Sequence, residues 1–415
     1  MKTWLTYLLA VILGFTANLL FGGSTVFATA VTDVCAVLIH LITVVSIPLV
    51  FITLAASVAS AFRPGRSEKG APQVLLMVFW GLASSVLCVL LAIAAFTLFP
   101  RAFPWIATAE AVEEATFADI SGTLLSLTLD TLSLRTISST AVLFFSIPVA
   151  LIAGFAFRPT GNIYVPAYNL LNSLSEVCMR IMKGLSRFWF LPVAFFSGFW
   201  AEKMIPQITG NLNFVLVFIC FTVLLVFVFL PLLFAFFTRF KVNPYRELFC
   251  FLPSLISGFF VTDYILSFVP LYSNLRNNSG IQKRHAAAAI PFNWIFSRGG
   301  SAAISTFVSL SLIMAISESA DLAIPVSLYF KMGLLCFAAS FACCLNPGTE
   351  VLVTVTLALT MAGADVGSSV LSIFTVLPLL NGACIMTDVA ICGFSASYLA
   401  YKKESRCMIC ANDMV

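Results

Sequence analysis

Residues Cys343–Val353 read CCLNPGTEVLV, and they lie between two apolar stretches, SLYFKMGLLCFAASFA before them and TVTLALTMAGA after. Pro347 withholds a backbone donor and Gly348 frees the chain from helical torsions. Two greasy arms therefore meet at Asn346-Pro347-Gly348-Thr349-Glu350. The second arm, Val351–Ala364, has only 14 residues. Crossing ~30 Å of hydrocarbon takes roughly 20 helical residues. The stretch reads as the tip of a re-entrant helical hairpin rather than as a loop between two spans.

The composition supports a lipid solvent. Of 415 residues, 60% are hydrophobic and 10% charged, with 41 Phe, and the mean hydropathy is +1.04. A soluble domain is about half apolar and about a quarter charged, so this chain cannot cover itself with a water-facing surface. The net charge of +4 is small and points to no nucleic-acid partner. The 12 Cys are scattered through apolar segments, where a free thiol packs as a small hydrophobe. Cys407 and Cys410 form a single CxxC in the C-terminal tail, with no second pair and no nearby His, so no metal role is assigned. His40 and His285 lack any partner motif.

Apolar runs give six spans, Thr3–Phe21, Val34–Phe62, Gln73–Phe99, Thr140–Phe157, Val165–Trp200 and Leu212–Phe240. The first, with Ala28-Thr29-Ala30 beyond it, has some features of a signal peptide. Its apolar run is longer than a usual signal core, and it reads as a retained helix. The fifth span is long, and its first half carries Glu176, Arg180, Lys183 and Arg187, so part of it is expected at the interface. Lys2, Arg63, Arg66, Lys69, Arg158, Arg239, Lys241 and Arg246 all fall on one side when the spans alternate. The positive-inside rule makes that side cytoplasmic and places both termini there. Glu110, Glu113, Glu114 and Asp119, with Glu318 and Asp321, fall outside.

Beyond Lys241 regular spans stop. LFCFLPSLISGFF (Leu248–Phe260) and YILSFVPLYSNL (Tyr264–Leu275) are each too short to cross and are joined around Asp263, which gives a first hairpin. AAAAIPFNWIF (Ala286–Phe296) then runs into Ser297-Arg298-Gly299-Gly300-Ser301, a charge and two glycines within a span, so a broken helix with an unwound centre is expected. After the second hairpin, Val366–Tyr401 forms a last span with Asn381, Asp388 and Cys392 along it. Hairpin plus broken helix is thus followed by hairpin plus polar helix, in opposite topology. Such paired interrupted segments mark a transporter's midplane site. The chain divides into a six-span region (1–240), a core of two hairpins and two helices (241–404) and a tail (405–415). The expected architecture is all-α and polytopic, with eight transmembrane helices and two opposed re-entrant hairpins. No P-loop, nucleophile elbow or metal-ligand cluster suggests an enzyme.

The sequence resembles the dicarboxylate/amino acid:cation symporters, the glutamate-transporter family, over almost its whole length. SIPLVFITLAASVAS (Ser46–Ser60), WGLASS, PVALIAGFAF, FLPVAFFSGFWAE, FFVTDYILSFVP and AASFACCLNPG carry the resemblance. It implies a secondary active transporter in the cell membrane, an ion-coupled symporter of an amino acid or dicarboxylate. It also implies a homotrimer, no cofactor, and Na+ or H+ as the coupling ion. A sodium-independent exchanger, a uniporter or channel-like relative, and a sensor or assembly subunit with a degenerate site are the other readings.

Carried over residue by residue, the resemblance places Asp263, Tyr264, Ile265, Arg298, Ser301, Pro347, Gly348, Thr349, Asn381, Cys384 and Asp388 at the substrate. It places Ser84, Ser85, Ser297, Gly299, Asp388 and Cys392 at the cation site. Several of these depart from the family. Gly299 and Cys392 stand where cation-binding carboxylates are expected, and Asn381 where an Asp holds a substrate amino group. Cys384 replaces the Arg that clamps an acidic side chain. Arg298 brings a permanent positive charge to the broken helix. Charges in apolar segments cost at least ~2.5–3.5 kcal/mol each and need partners or water. Arg298 and Asp388 are therefore assigned to function. Asp263 and Glu350, at hairpin tips that water can reach, divide evenly between a site role and a structural one.

Overall fold

The computed structural model describes residues 3–21, 29–31, 33–35, 37–38, 48, 51–59, 70–104, 149–158, 164–262, 264–278, 290, 293–319, 325–342, 350–362, 372–373 and 376–402. Among the described residues every regular element is helical and there is no strand. In hydrocarbon a helix satisfies its own backbone, which an open sheet edge cannot do.

The early helices are α1 (Thr3–Phe21) and α2 (Gly70–Leu98), followed by α3 (Val165–Phe188), α4 (Phe190–Gly210) and α5 (Leu212–Phe237). The stretch expected as one span, Val165–Trp200, is divided at Trp189, and its second part runs on to Gly210. The division follows composition. Polar residues including Glu176, Arg180 and Arg187 share α3 with exposed Leu170, Leu174 and Val177, which suits an interfacial helix. The residues after Trp189 are mostly apolar. Trp189 itself is buried, and its indole N–H donates to Ser257 Oγ at 2.8 Å.

α5 has no charged residue. One face (Phe214, Phe218, Phe221, Leu225) is buried, and the other (Leu216, Val228, Leu232, Phe236) is exposed. An exposed apolar face of this kind suits contact with lipid. The helix widens to a π turn over Leu224–Phe229 just before Pro231. A proline cannot donate to the preceding turn and crowds the carbonyl four residues back, so the widening makes room for it.

The second half consists of short arms around two enclosed helices. α6 (Pro244–Val261) starts where Asn243 Oδ1 accepts from Tyr245 N at 3.0 Å, with Pro244 at the first position. It stops at Thr262, whose φ of 53° is left-handed. α7 (Tyr264–Asn278) follows and packs against α6. α8 (Gly299–Ser319) resumes a helix already formed at 293–296, and only Ser297 and Arg298 stand outside helical structure. The unwound centre is therefore shorter than Ser297–Ser301, because Gly299 and Gly300 already open α8. α9 (Val326–Ala342) and α10 (Glu350–Ala362) form the second packed pair, and α11 (Leu377–Lys402) closes the core. At about 1.5 Å per residue, arms of 13 to 18 residues reach roughly 20–27 Å, short of the hydrocarbon thickness.

Four helices among the described residues are long and apolar enough to cross a membrane: Val78–Leu98, Leu212–Phe237, Asn293–Ser317 and Leu377–Leu399. The last two are enclosed, with 78% and 89% of their most apolar windows buried, against 44% for each of the others. Protein rather than lipid surrounds them, which is why they can carry polar side chains. α8 packs on α2, α9, α10 and α11, and α11 also packs on α6.

Candidate functional site

α8, α10 and α11 meet at a buried polar cluster. Arg298, the last residue before α8, is 1% exposed. Its Nη1 lies 2.7 Å from Glu350 Oε1 and 3.8 Å from Asp388 Oδ2. Asp388, fully buried on α11, accepts from Gly300 N at 2.7 Å through Oδ1 and from Ser301 Oγ at 2.8 Å through Oδ2. Ser301 Oγ also contacts Glu350 Oε1, and it lies 3.1 Å from Cys384 Sγ. Asn381 Oδ1 accepts from Val351 N at 3.1 Å and so satisfies one of the free donors at the start of α10.

Backbone geometry makes the cluster possible. A Cβ added to Gly300 would run into the Cys384 carbonyl and come within 2.8 Å of Thr387 Cβ. Only glycine lets α8 approach α11 closely enough for the Gly300 N–H to reach Asp388. The N-termini of α8 and α10 both point into this region, and the partial positive charge of a helix start favours anions. Two helix starts and one guanidinium thus converge on two carboxylates. The ligand atoms of Glu350, Cys384 and Asp388 lie within 4.8 Å of one another. Arg298 already shares both carboxylates, so they act as counterions to a guanidinium and not as an open ligand set for a divalent metal.

Of the residues expected at the substrate, the structure brings together Arg298, Ser301, Asn381, Cys384 and Asp388. Tyr264 and Ile265 open α7, but their side chains lie outside the described part of the chain, as do Asp263, Pro347, Gly348 and Thr349. The sequence leaves Glu350 open between a site role and a solvated tip. It is 3% exposed and is the nearest carboxylate to Arg298. The signal for it was available in the sequence, since a buried arginine needs a counterion and Glu350 is the one acidic residue flanking the second hairpin's tip.

The residues expected to hold a cation are differently placed. Ser84 Oγ donates to the Trp80 carbonyl and Ser85 Oγ to the Gly81 carbonyl, both at 2.7 Å, so each hydroxyl is bonded within its own helix. A Cβ on Gly299 would collide with Ile391 Cδ1 and lie 2.9 Å from Ser85 Cα. Packing has therefore closed the place where the resemblance expects a carboxylate. Cys392 is buried, with its Sγ 3.9 Å from the Ile290 carbonyl, while Asn293 Nδ2 lies 3.4 Å from the Cys392 carbonyl. Ser297 Oγ and Asn293 Oδ1, one helical turn apart, are buried without a hydrogen-bond partner among the described residues. Asn293 is a further polar residue that spacing alone did not single out.

Residues 3–392 match the sodium:dicarboxylate symporter family. The chain belongs to that family. It is accordingly a multi-pass membrane protein of the secondary-transporter kind, from a family of transporters rather than enzymes, and the family works without a cofactor. Na+ and H+ both fit the family as coupling ions. No match is found among curated proteins. Within the family's frame, the Arg298–Glu350–Asp388 cluster lies where the broken helix, the second short pair and the last helix converge.

Proposed function

We propose that this symporter-family chain moves an amino acid or dicarboxylate across the cell membrane and binds it at Arg298, Ser301, Cys384 and Asp388. The observation that carries the reading is Arg298, an enclosed cation at the meeting point of α8, α10 and α11. A buried guanidinium flanked by two helix N-termini is suited to a substrate carboxylate. Asp263, Tyr264, Ile265, Pro347, Gly348 and Thr349 complete the site from the two hairpin tips, and Asn381 holds the second hairpin's arm beside it.

In this reading the short pairs α6–α7 and α9–α10 are re-entrant hairpins entered from opposite sides. The eight spans, the cytoplasmic termini and the homotrimer follow the charge distribution and the family pattern. Residues 1–240 supply the scaffold and part of the moving core, residues 241–404 the core itself, and 405–415 a cytoplasmic tail. Arg298 serves as a tethered cation, so transport depends on sodium less than the family's name suggests. Gly299 and Cys392 offer no carboxylate, and the close packing at Gly299 supports this. Protons or an exchanged solute then carry the coupling, and an exchanger or uniporter is the limiting case.

A second reading keeps sodium. Asn293 Oδ1 and Ser297 Oγ are buried oxygens that an ion would satisfy. A thermal-shift screen of amino acids and dicarboxylates, with and without sodium, separates the two readings, because a ligand that binds only the folded state raises apparent stability. Stabilisation by a carboxylate-bearing substrate in sodium-free buffer is expected. Stabilisation only when sodium is present favours the second reading.

A further inference from the structure

The site carries its own carboxylate at the position where an anionic substrate would bind. We propose that Glu350 is a built-in competitor for the substrate's carboxylate, and that it sets the affinity of the site for anionic ligands. The inference rests on the reading of Arg298 as a substrate residue. Arg298 Nη1 lies 2.7 Å from Glu350 Oε1 but 3.8 Å from Asp388 Oδ2, so Glu350 takes the direct bond. Asp388 is held twice by α8, through Gly300 N and Ser301 Oγ, which ties it into the helix junction. Glu350 is differently anchored. It is the first residue of α10, and its acidic group reaches across to Arg298 and Ser301 from the second short helix pair. Among the described residues, the charged and titratable groups that face it are Arg298 from the break before α8, and Cys384 and Asp388 from α11.

Two consequences follow from this placement. A substrate carboxylate that bonds Arg298 through Nη1 meets a nitrogen already held by Glu350 and must displace it. While Glu350 remains in place, its ion pair fastens the start of α10 to the broken helix. A tethered group competes intramolecularly, so it is not diluted as a free anion is. Only ligands that gain more from Arg298 than Glu350 does can enter. The substrate class this favours carries a carboxylate and makes further contacts; a bare small anion would not displace the tether.

The test compares wild type with Glu350→Gln, which keeps the size and the bond to Ser301 but removes the charge. Binding of L-aspartate, succinate and L-serine is measured by isothermal titration on the full-length protein in detergent, alongside uptake in proteoliposomes. At the strength of a typical charge-assisted hydrogen bond, Glu350→Gln should bind carboxylates about ten- to a hundredfold more tightly than wild type. Glu350→Asp, which retracts the carboxylate by one methylene, should fall between them and serves if the glutamine variant does not fold. Equal or weaker carboxylate binding in both variants, with wild type still transporting, would overturn the competitor role and leave the transport reading standing. If neither wild type nor variant binds or transports any of the three ligands, both readings fail.

Discussion

In Arg298→Met, Glu350 and Asp388 stay buried but lose the guanidinium now 2.7 and 3.8 Å from their oxygens. Removing one partner of a buried pair leaves uncompensated charge and costs about 3–5 kcal/mol. The helix starts of α8 and α10 offset part of this, each by roughly 0.3–1 kcal/mol and up to ~2 in a partly buried setting, so the loss should sit toward the lower end of the range. Replacing both ends of the bridge is a different perturbation, because a buried ion pair exchanged for apolar groups is often close to neutral. Arg298→Met with Glu350→Leu should therefore be more stable than Arg298→Met alone, and the two changes should couple by roughly 0.5–3 kcal/mol. Thermal unfolding in one detergent, followed by tryptophan fluorescence, gives the order: wild type, then the double variant, then Arg298→Met. A double variant that loses the full sum of the two single losses would show that no bridge couples α8 to α10.

Three further outcomes are expected. Gly299→Asp should not restore sodium binding, because its Cβ would collide with Ile391 and Ser85; overpacking should cost about 1–3 kcal/mol, and sodium should give the variant no extra thermal stability. Trp189→Phe removes the 2.8 Å bond to Ser257 and should cost about 0.5–1.5 kcal/mol, and adding Ser257→Ala should cost little more. Cysteine introduced at Glu113 in a Cys-free background should react with an impermeant reagent from the outside, and reaction from the cytoplasmic side alone would contradict the proposed orientation.

The helical architecture was legible because its signals are local. Pro347, Gly348 and the short arm after them mark a turn in any context, and Gly299-Gly300 beside Arg298 marks a break. α9, α10 and the interruption at Ser297–Arg298 followed from these residues alone. Glu176, Arg180 and Arg187 set the first half of Val165–Trp200 apart. The exact boundary was not legible, since both halves are helix-forming and the bond from Trp189 to Ser257 at the junction comes from tertiary packing. Arg298, Ser301 and Asp388 were assigned together through the resemblance, and the structure brings them into one buried cluster. Glu350 stayed open because sequence gives a hairpin tip's residues but not how deeply they sit. Asn381 was assigned to the substrate, and in the structure its Oδ1 accepts from Val351 N at the start of α10. The closure around Gly299 was equally hidden, since it depends on Ile391 and Ser85 arriving from two other helices.

The account rests most heavily on Arg298 as a substrate-binding tethered cation, and uptake by proteoliposomes tests it most directly. Initial rates for a substrate found in the screen would be measured with sodium or with choline outside, with and without an imposed pH gradient, for wild type and Arg298→Met. The account predicts saturable uptake that persists in choline and is lost or becomes sodium-dependent in Arg298→Met. Strict, saturable dependence on sodium in the wild type, with no response to the pH gradient and no change in Arg298→Met, would contradict it.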